Sequence, residues 1–384
     1  MTNPLDAWMA ALTPESLRAR GSMKWTTVEP GEIGAFIAEL DTPMATCIRV
    51  ALADALDSAH TGYLGPALSS GVSSACAQFQ HRRYAWDVDP AHIVVVPDVL
   101  GALQLTIREL VDETTTIVVP TPAYMPFLDP VVTGQNLVTV PMSLVDGRWR
   151  MDPTELQLAL TGGGLLVLVN LHNPTGQVAT AAELAEIADI VERTRSTVFV
   201  DEIHAPLVYE GAVHVPYASL SPATAQHSVT AVSASKGWNL PGLPCAQLIL
   251  TSERHRGTAS WWTPIQLHGA TPLGAIATTA AYTDGIEHLD AIVEYLDRGR
   301  ALFAAGLAHA LPLVPHHPPE ATYLQWLDLR PMGIEPAAVR ERTGVWGTPG
   351  QECGTAGFLR LSLGTPHHII EDVLARLALL EYQT

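Results

Sequence analysis

The chain has 384 residues, 47% of them hydrophobic and 16% charged, and carries a formal net charge of -18. That length suits two domains of ~100 to 200 residues each, and the composition excludes a disordered or fibrous polymer. The acidic balance argues against nucleic acid or an anionic membrane surface as a partner, because either needs clustered Lys and Arg.

The start, MTNPLDAWMAALTPESL, has no basic residue ahead of a long apolar run, so it does not read as a signal peptide. No apolar stretch approaches the ~18 residues of a membrane span. Cys47, Cys76, Cys245 and Cys353 are far apart and form no CxxC pair, which points to reduced thiols rather than a zinc site or disulfide framework. A cytoplasmic location is expected.

Short β-branched runs bounded by turn residues follow one another: HIVVV (92–96), TIVV (116–119), LLVLVN (165–170), TVFVDE (197–202), SVTAV (228–232) and AQLIL (246–250). Such runs predict strands buried on both faces. Helix-like stretches separate several of them, LGALQLTIRELVD and AAELAEIADIVERT among them, so the prediction is an α/β domain with a mostly parallel sheet. From about residue 276 longer amphipathic segments and two strand-like runs, TYLQWLDL and FLRLSL, predict a smaller α+β domain.

In open parallel sheets ligands bind beyond the carboxyl ends of the strands. Three polar residues fall there: Asn173 in NPTG, Asp201 in DEIH and Lys236 in SASKGWNLPGL. A lysine just after a strand can be partly desolvated, which lowers its pKa and makes the amine a nucleophile toward an aldehyde. A strand-end carboxylate facing a pyridinium nitrogen keeps that nitrogen protonated, so that the ring accepts electrons from a carbanion. Asn173 would hold a ring hydroxyl oxygen. Ser233 and Ser235 offer hydroxyls to a phosphate, and a helix start offers an anion the backbone N–H groups of Val99, Leu100 and Gly101. Each motif alone is commoner as a turn or cap; the three together at strand ends are not.

With these motifs, and with SMKW (22–25), AELD (38–41), TPAYMPF (121–127), DEIHAPL (201–207), TYLQWLD (322–328) and FLRLS (358–362), the chain resembles the fold-type I pyridoxal-phosphate enzymes. Within them it resembles the aminotransferase-like cystathionine β-lyase, or C-S lyase, group. The resemblance implies a large cofactor domain with a mostly parallel seven-stranded sheet over 46–275, and a small domain built from 276–384 with the first 45 residues. It implies pyridoxal 5'-phosphate in a Schiff base with Lys236, which then acts as the base at the substrate α-carbon. Asp201 would pair with the ring nitrogen, and Tyr124 and His204 would lie against the ring. Arg360 would clamp the substrate carboxylate near Ala38. Tyr63 would reach the phosphate from a second subunit of a homodimer with shared sites.

His204 and Pro244 stand where aspartate aminotransferases carry a tyrosine and a phosphate-binding arginine, which favours C-S cleavage of an S-substituted cysteine over transamination. Decarboxylation or oxidative deamination of a bulky cysteine conjugate, and a regulatory protein retaining the cofactor, are the further alternatives. The pairs His316–His317 and His367–His368 read as solvated loop residues rather than metal ligands. GGG (162–164) reads as a turn, and Trp261–Trp262 serves equally as a site mouth or a helix anchor.

Overall fold

A computed structural model describes residues 4–263 and 266–383. The β-branched runs become strands whose alternate side chains are buried on opposite faces. In LLVLV, Leu165, Val167 and Val169 pack with the helix Val99–Leu110, while Leu166 and Leu168 pack with the helix Ala181–Thr194. A sheet of β2 (Ile93–Val96), β3 (Thr116–Thr121), β4 (Leu137–Val145), β5 (Arg148–Met151), β6 (Gly164–Val169), β7 (Thr197–Asp201), β8 (Ser228–Val232) and β9 (Ala246–Ile249) results, after a first short strand β1 (Ile33–Gly34).

The strand order is β2-β9-β8-β7-β6-β3-β4-β5. Pairs β8–β7, β7–β6, β6–β3 and β3–β4 are parallel, and β9 and β5 run antiparallel to their neighbours. The sheet therefore has eight strands rather than the seven expected. Neither β4 nor β5 is among the runs read from the sequence; β5 is returned beside β4 by a tight turn in which Asp146 and Gly147 have φ of 50° and 79°. Asp-Gly is the residue pair that such a hairpin turn favours. Arg148 at the start of β5 bridges to Glu183, whose side chain also accepts from the backbone N–H of Thr180 and so boxes the start of the helix Ala181–Thr194.

The C-terminal part forms a small antiparallel sheet of β10 (Leu324–Asp328), β12 (Thr348–Pro349) and β13 (Phe358–Ser362). Between these, β11 (Val345–Trp346) pairs in parallel with β1, which joins the N-terminal segment to the C-terminal part. Beyond β1 the segment is sewn on by Ser362 N donating to Ala35 O (2.7 Å) and Asp41 N donating to Gly364 O (2.8 Å). Lys24 and Asp41 form a buried ion pair at 2.9 Å, and Trp25 Nε1 donates to the other carboxylate oxygen at 2.8 Å. Gly34 fits there because a Cβ on it would stand 1.9 Å from the Lys24 carbonyl oxygen.

The paired histidines are not simply solvated loops. His316 bonds Gln325 at 3.0 Å, and His367 opens the helix His367–Leu377 stacked on Tyr295 at 4.0 Å; only His317 and His368 are exposed. Gly162 and Gly163, with φ of 93° and 91°, form a turn into β6, and Trp261 is exposed.

Removing one partner of a buried ion pair leaves an uncompensated charge. Asp41→Ala should therefore lower stability by about 3 kcal/mol in denaturant unfolding, and Lys24→Met combined with Asp41→Leu should recover most of the loss.

Candidate active site

The carboxyl ends of β6, β7 and β8 open into a cavity of about 400 Å3, and the predicted residues Asn173, Asp201 and Lys236 all line it. Ala38, Val99, Leu100, Tyr124, His204, Ser233, Ser235 and Arg360 line it as well. Gly101 and Tyr63 do not.

Lys236 is partly buried, and its amine donates to the carbonyl of Ala38 at 2.9 Å. Burial, reinforced by the charge of Arg360, lowers its pKa to about 8, so a usable fraction of the amine is unprotonated near neutrality. The hydroxyl of Tyr323 donates to the same Ala38 oxygen at 3.0 Å. The loop carrying the lysine is tied to the N-terminal segment by Asn239, whose amide accepts from Leu40 N and donates to Leu40 O.

Asp201 is 4% exposed and accepts one hydrogen bond, from Ile203 N at 3.0 Å. Burial pushes its pKa up to about 7. Arg360 is 2% exposed; it donates to Asn173 Oδ1 (3.0 Å), Phe36 O (2.7 Å) and Thr348 Oγ1 (3.2 Å), with Nε unpaired. Among the described residues no ion pair includes either Arg360 or Asp201. Burying a charge without an ion-pair partner is costly, so the cavity suits a ligand that carries both a cationic and an anionic group.

His204 is buried and its pKa is lowered to about 3 by burial, then by the charges of Lys236 and Arg360, so the ring is neutral; Nδ1 has no hydrogen-bond partner among the described residues. Tyr124 sits edge-on to Phe127 at 5.4 Å. At the predicted phosphate end, Ser233 already donates to Cys245 O at 2.9 Å and accepts from Ser235 N. Asp98 Oδ1 caps the helix Val99–Leu110 by accepting from Gly101 N at 2.7 Å, so that N–H is spent, while Asp98, Val99 and Leu100 line the cavity. Tyr63 is 90% exposed and stands in a separate open groove, its ring 6.3 Å from His268.

These residues fit pyridoxal phosphate. A carboxylate without an ion-pair partner suits a protonated ring nitrogen, a lysine whose amine is readily deprotonated suits the aldehyde, and a helix start with hydroxyls suits the phosphate. Among the described residues no group of three or more His, Cys, Asp or Glu could hold a metal ion.

Fold and site together define an enzyme of the lysine-anchored pyridoxal class. The family described as aminotransferase class I and II matches residues 37–377. A cystathionine beta-lyase of Corynebacterium glutamicum is 34% identical over 95% of this chain and 98% of its own length. The cystathionine beta-lyase PatB of Bacillus subtilis is 30% identical over 89% of this chain and 90% of its own. A solved structure from Corynebacterium diphtheriae, described as a candidate PLP-dependent beta-cystathionase, superposes with a TM-score of 0.91 at 31% identity, covering 97% of this chain and 99% of that one. The chain belongs to the aminotransferase class I and II family, in its cystathionine beta-lyase branch.

Several working groups escaped the sequence reading. Phe36 acts through its carbonyl, Thr348 holds the arginine, and Tyr323 and Asn239 hold the segment beside the lysine. Only Asp98 carried a legible signal, as an acidic residue just before a helix.

The raised pKa of Asp201 has a definite sign in the cofactor-free protein. Between the usual 3.8 and about 7 the folded chain keeps a proton that the unfolded chain has released. The stability Asp201 contributes is thus fully present below the lower value and is lost as pH rises through the upper one. Thermal unfolding of cofactor-free protein should show that decline, and Asp201→Asn should flatten it.

Proposed function

We propose that the protein is a pyridoxal-phosphate carbon-sulfur β-lyase that cleaves an S-substituted L-cysteine to a thiol, pyruvate and ammonia. The carrying observation is the buried guanidinium of Arg360, which has no carboxylate partner among the described residues and opens on the same cavity as an amine with a pKa of about 8. An amino acid supplies the missing carboxylate.

Bound pyridoxal phosphate would supply the electron sink for charge developing at the substrate α-carbon. Arg360, fixed by Asn173, Phe36 O and Thr348, orients the α-carboxylate. Lys236 Nζ takes the proton as the Cα–H bond breaks, and the Cβ–S bond then breaks with its electron pair on sulfur. Ala38 O and the hydroxyl of Tyr323 hold the lysine side of the cavity. Asp201 would keep a proton on the ring nitrogen, and neutral His204 adds no competing charge. Released aminoacrylate takes up water to give pyruvate and ammonia.

Residues 46–275 would carry the cofactor, with 1–45 and 276–384 closing on the substrate. The working unit would be a homodimer in which Tyr63 crosses to the neighbouring cavity; its exposure and its place in an open groove support that arrangement. We place it in the cytoplasm, in keeping with four free cysteines. No described helix is long and apolar enough to cross a membrane.

Incubated with S-substituted cysteines and no keto acid, the purified enzyme should release thiol and pyruvate over many turnovers. A single amine transfer without thiol would show an aminotransferase instead. Arg360→Lys, which loses the guanidinium fork, should lower kcat/KM roughly 100-fold, mainly through KM.

A further inference from the structure

We propose that the substituent on the substrate sulfur is uncharged and apolar, so that a thioether ending in a second amino-acid head, as in cystathionine, is a poor substrate. This rests on the β-lyase reading and narrows it.

The cavity wall offers two cations, Lys236 and Arg360. One is consumed by the chemistry and the other by the α-carboxylate. Lys24, the cation of the N-terminal segment closest in sequence to Ala38, is buried against Asp41. A distal carboxylate would need a further Lys or Arg, and the segments that carry Tyr63, Tyr124 and Trp262 include none. Residues 50–81, which contain Tyr63, 109–147, which contain Tyr124 and Met125, and 257–297, which contain Trp262 and His268, include neither Lys nor Arg. The restriction holds whichever copy of the chain delivers Tyr63, because the segment arrives equally uncharged.

A distal ammonium fares no better. The two carboxylates on the wall are Asp98, whose Oδ1 caps a helix start, and Asp201, which faces the ring nitrogen. The remaining surface is apolar where it is not committed: Phe36, Ile37, Met125, Pro126, Leu240 and Leu243 line it. Desolvating a charged head against such a wall is unfavourable, while each buried methylene raises kcat/KM about fourfold.

Two measurements on the wild-type holoenzyme test this. Pyruvate release from S-butyl-, S-benzyl- and S-aminoethyl-L-cysteine is compared with release from L-cystathionine. Inhibition of the enzyme, or displacement of a bound amino acid, by 2-aminooctanoate is compared with that by 2-aminosuberate, which has the same length but a terminal carboxylate. The expected result is a kcat/KM at least about tenfold higher for the butyl and benzyl thioethers, with tighter binding of aminooctanoate. Equal or better turnover of cystathionine or the aminoethyl compound, or equal or tighter binding of aminosuberate, would overturn the proposal. If no thioether yields pyruvate, the β-lyase reading fails, and the binding comparison still decides the character of the pocket.

Discussion

Two buried ionisable groups, one acidic and one basic, neither with an ion-pair partner among the described residues, govern the arrangement of this molecule. Asp201 and Arg360 open on the same cavity, each nearly removed from solvent. A protein tolerates such a cost where a ligand repeatedly supplies the opposite charge. On the proposed reading a ring nitrogen would answer the carboxylate and a substrate carboxylate the guanidinium. Lys236 shares the cavity, and the desolvation that strains the other two groups frees its amine to react.

The rest of the fold keeps these groups where they are. The parallel strands β6, β7 and β8 end side by side, which sets Asn173, Asp201 and Lys236 on three neighbouring loops. Arg360 comes from the small sheet, on β13, and is fastened to the large sheet's loop through Asn173. The N-terminal segment passes between them and gives its carbonyls to both cations, Phe36 to Arg360 and Ala38 to Lys236. The buried Lys24–Asp41 pair anchors that segment. A pair remote from the chemistry thus fixes the two oxygens nearest the chemistry's cations.

Much of this was legible in the sequence because the strands are short, β-branched and buried on both faces, a pattern with few competitors. SVTAV became β8 without change of boundary. The side chains that line the cavity at strand ends, Asn173, Asp201 and Lys236, were legible for the same reason. What escaped were contacts made by backbone carbonyls and contacts between distant parts of the chain. Nothing in the local sequence marks Phe36 O as an acceptor for Arg360, 324 residues away. The hairpin strand β5 was missed because Arg148–Met151 is short and polar, although Asp146–Gly147 announced the turn. The phosphate end was misjudged at Gly101 because a helix start can be capped by its own side chain, and Asp98 does so.

The central claim is that this cavity binds an aldehyde cofactor through one lysine amine. Its direct measurement is to load cofactor-free protein with pyridoxal phosphate, reduce with borohydride, and map the modified peptide by mass spectrometry. The account predicts about one stable cofactor adduct per chain, on Lys236, with uptake rising about tenfold per pH unit below the lysine's pKa and levelling above it. Adducts scattered over other lysines, or a Lys236→Ala protein that retains the same reducible cofactor, would contradict it.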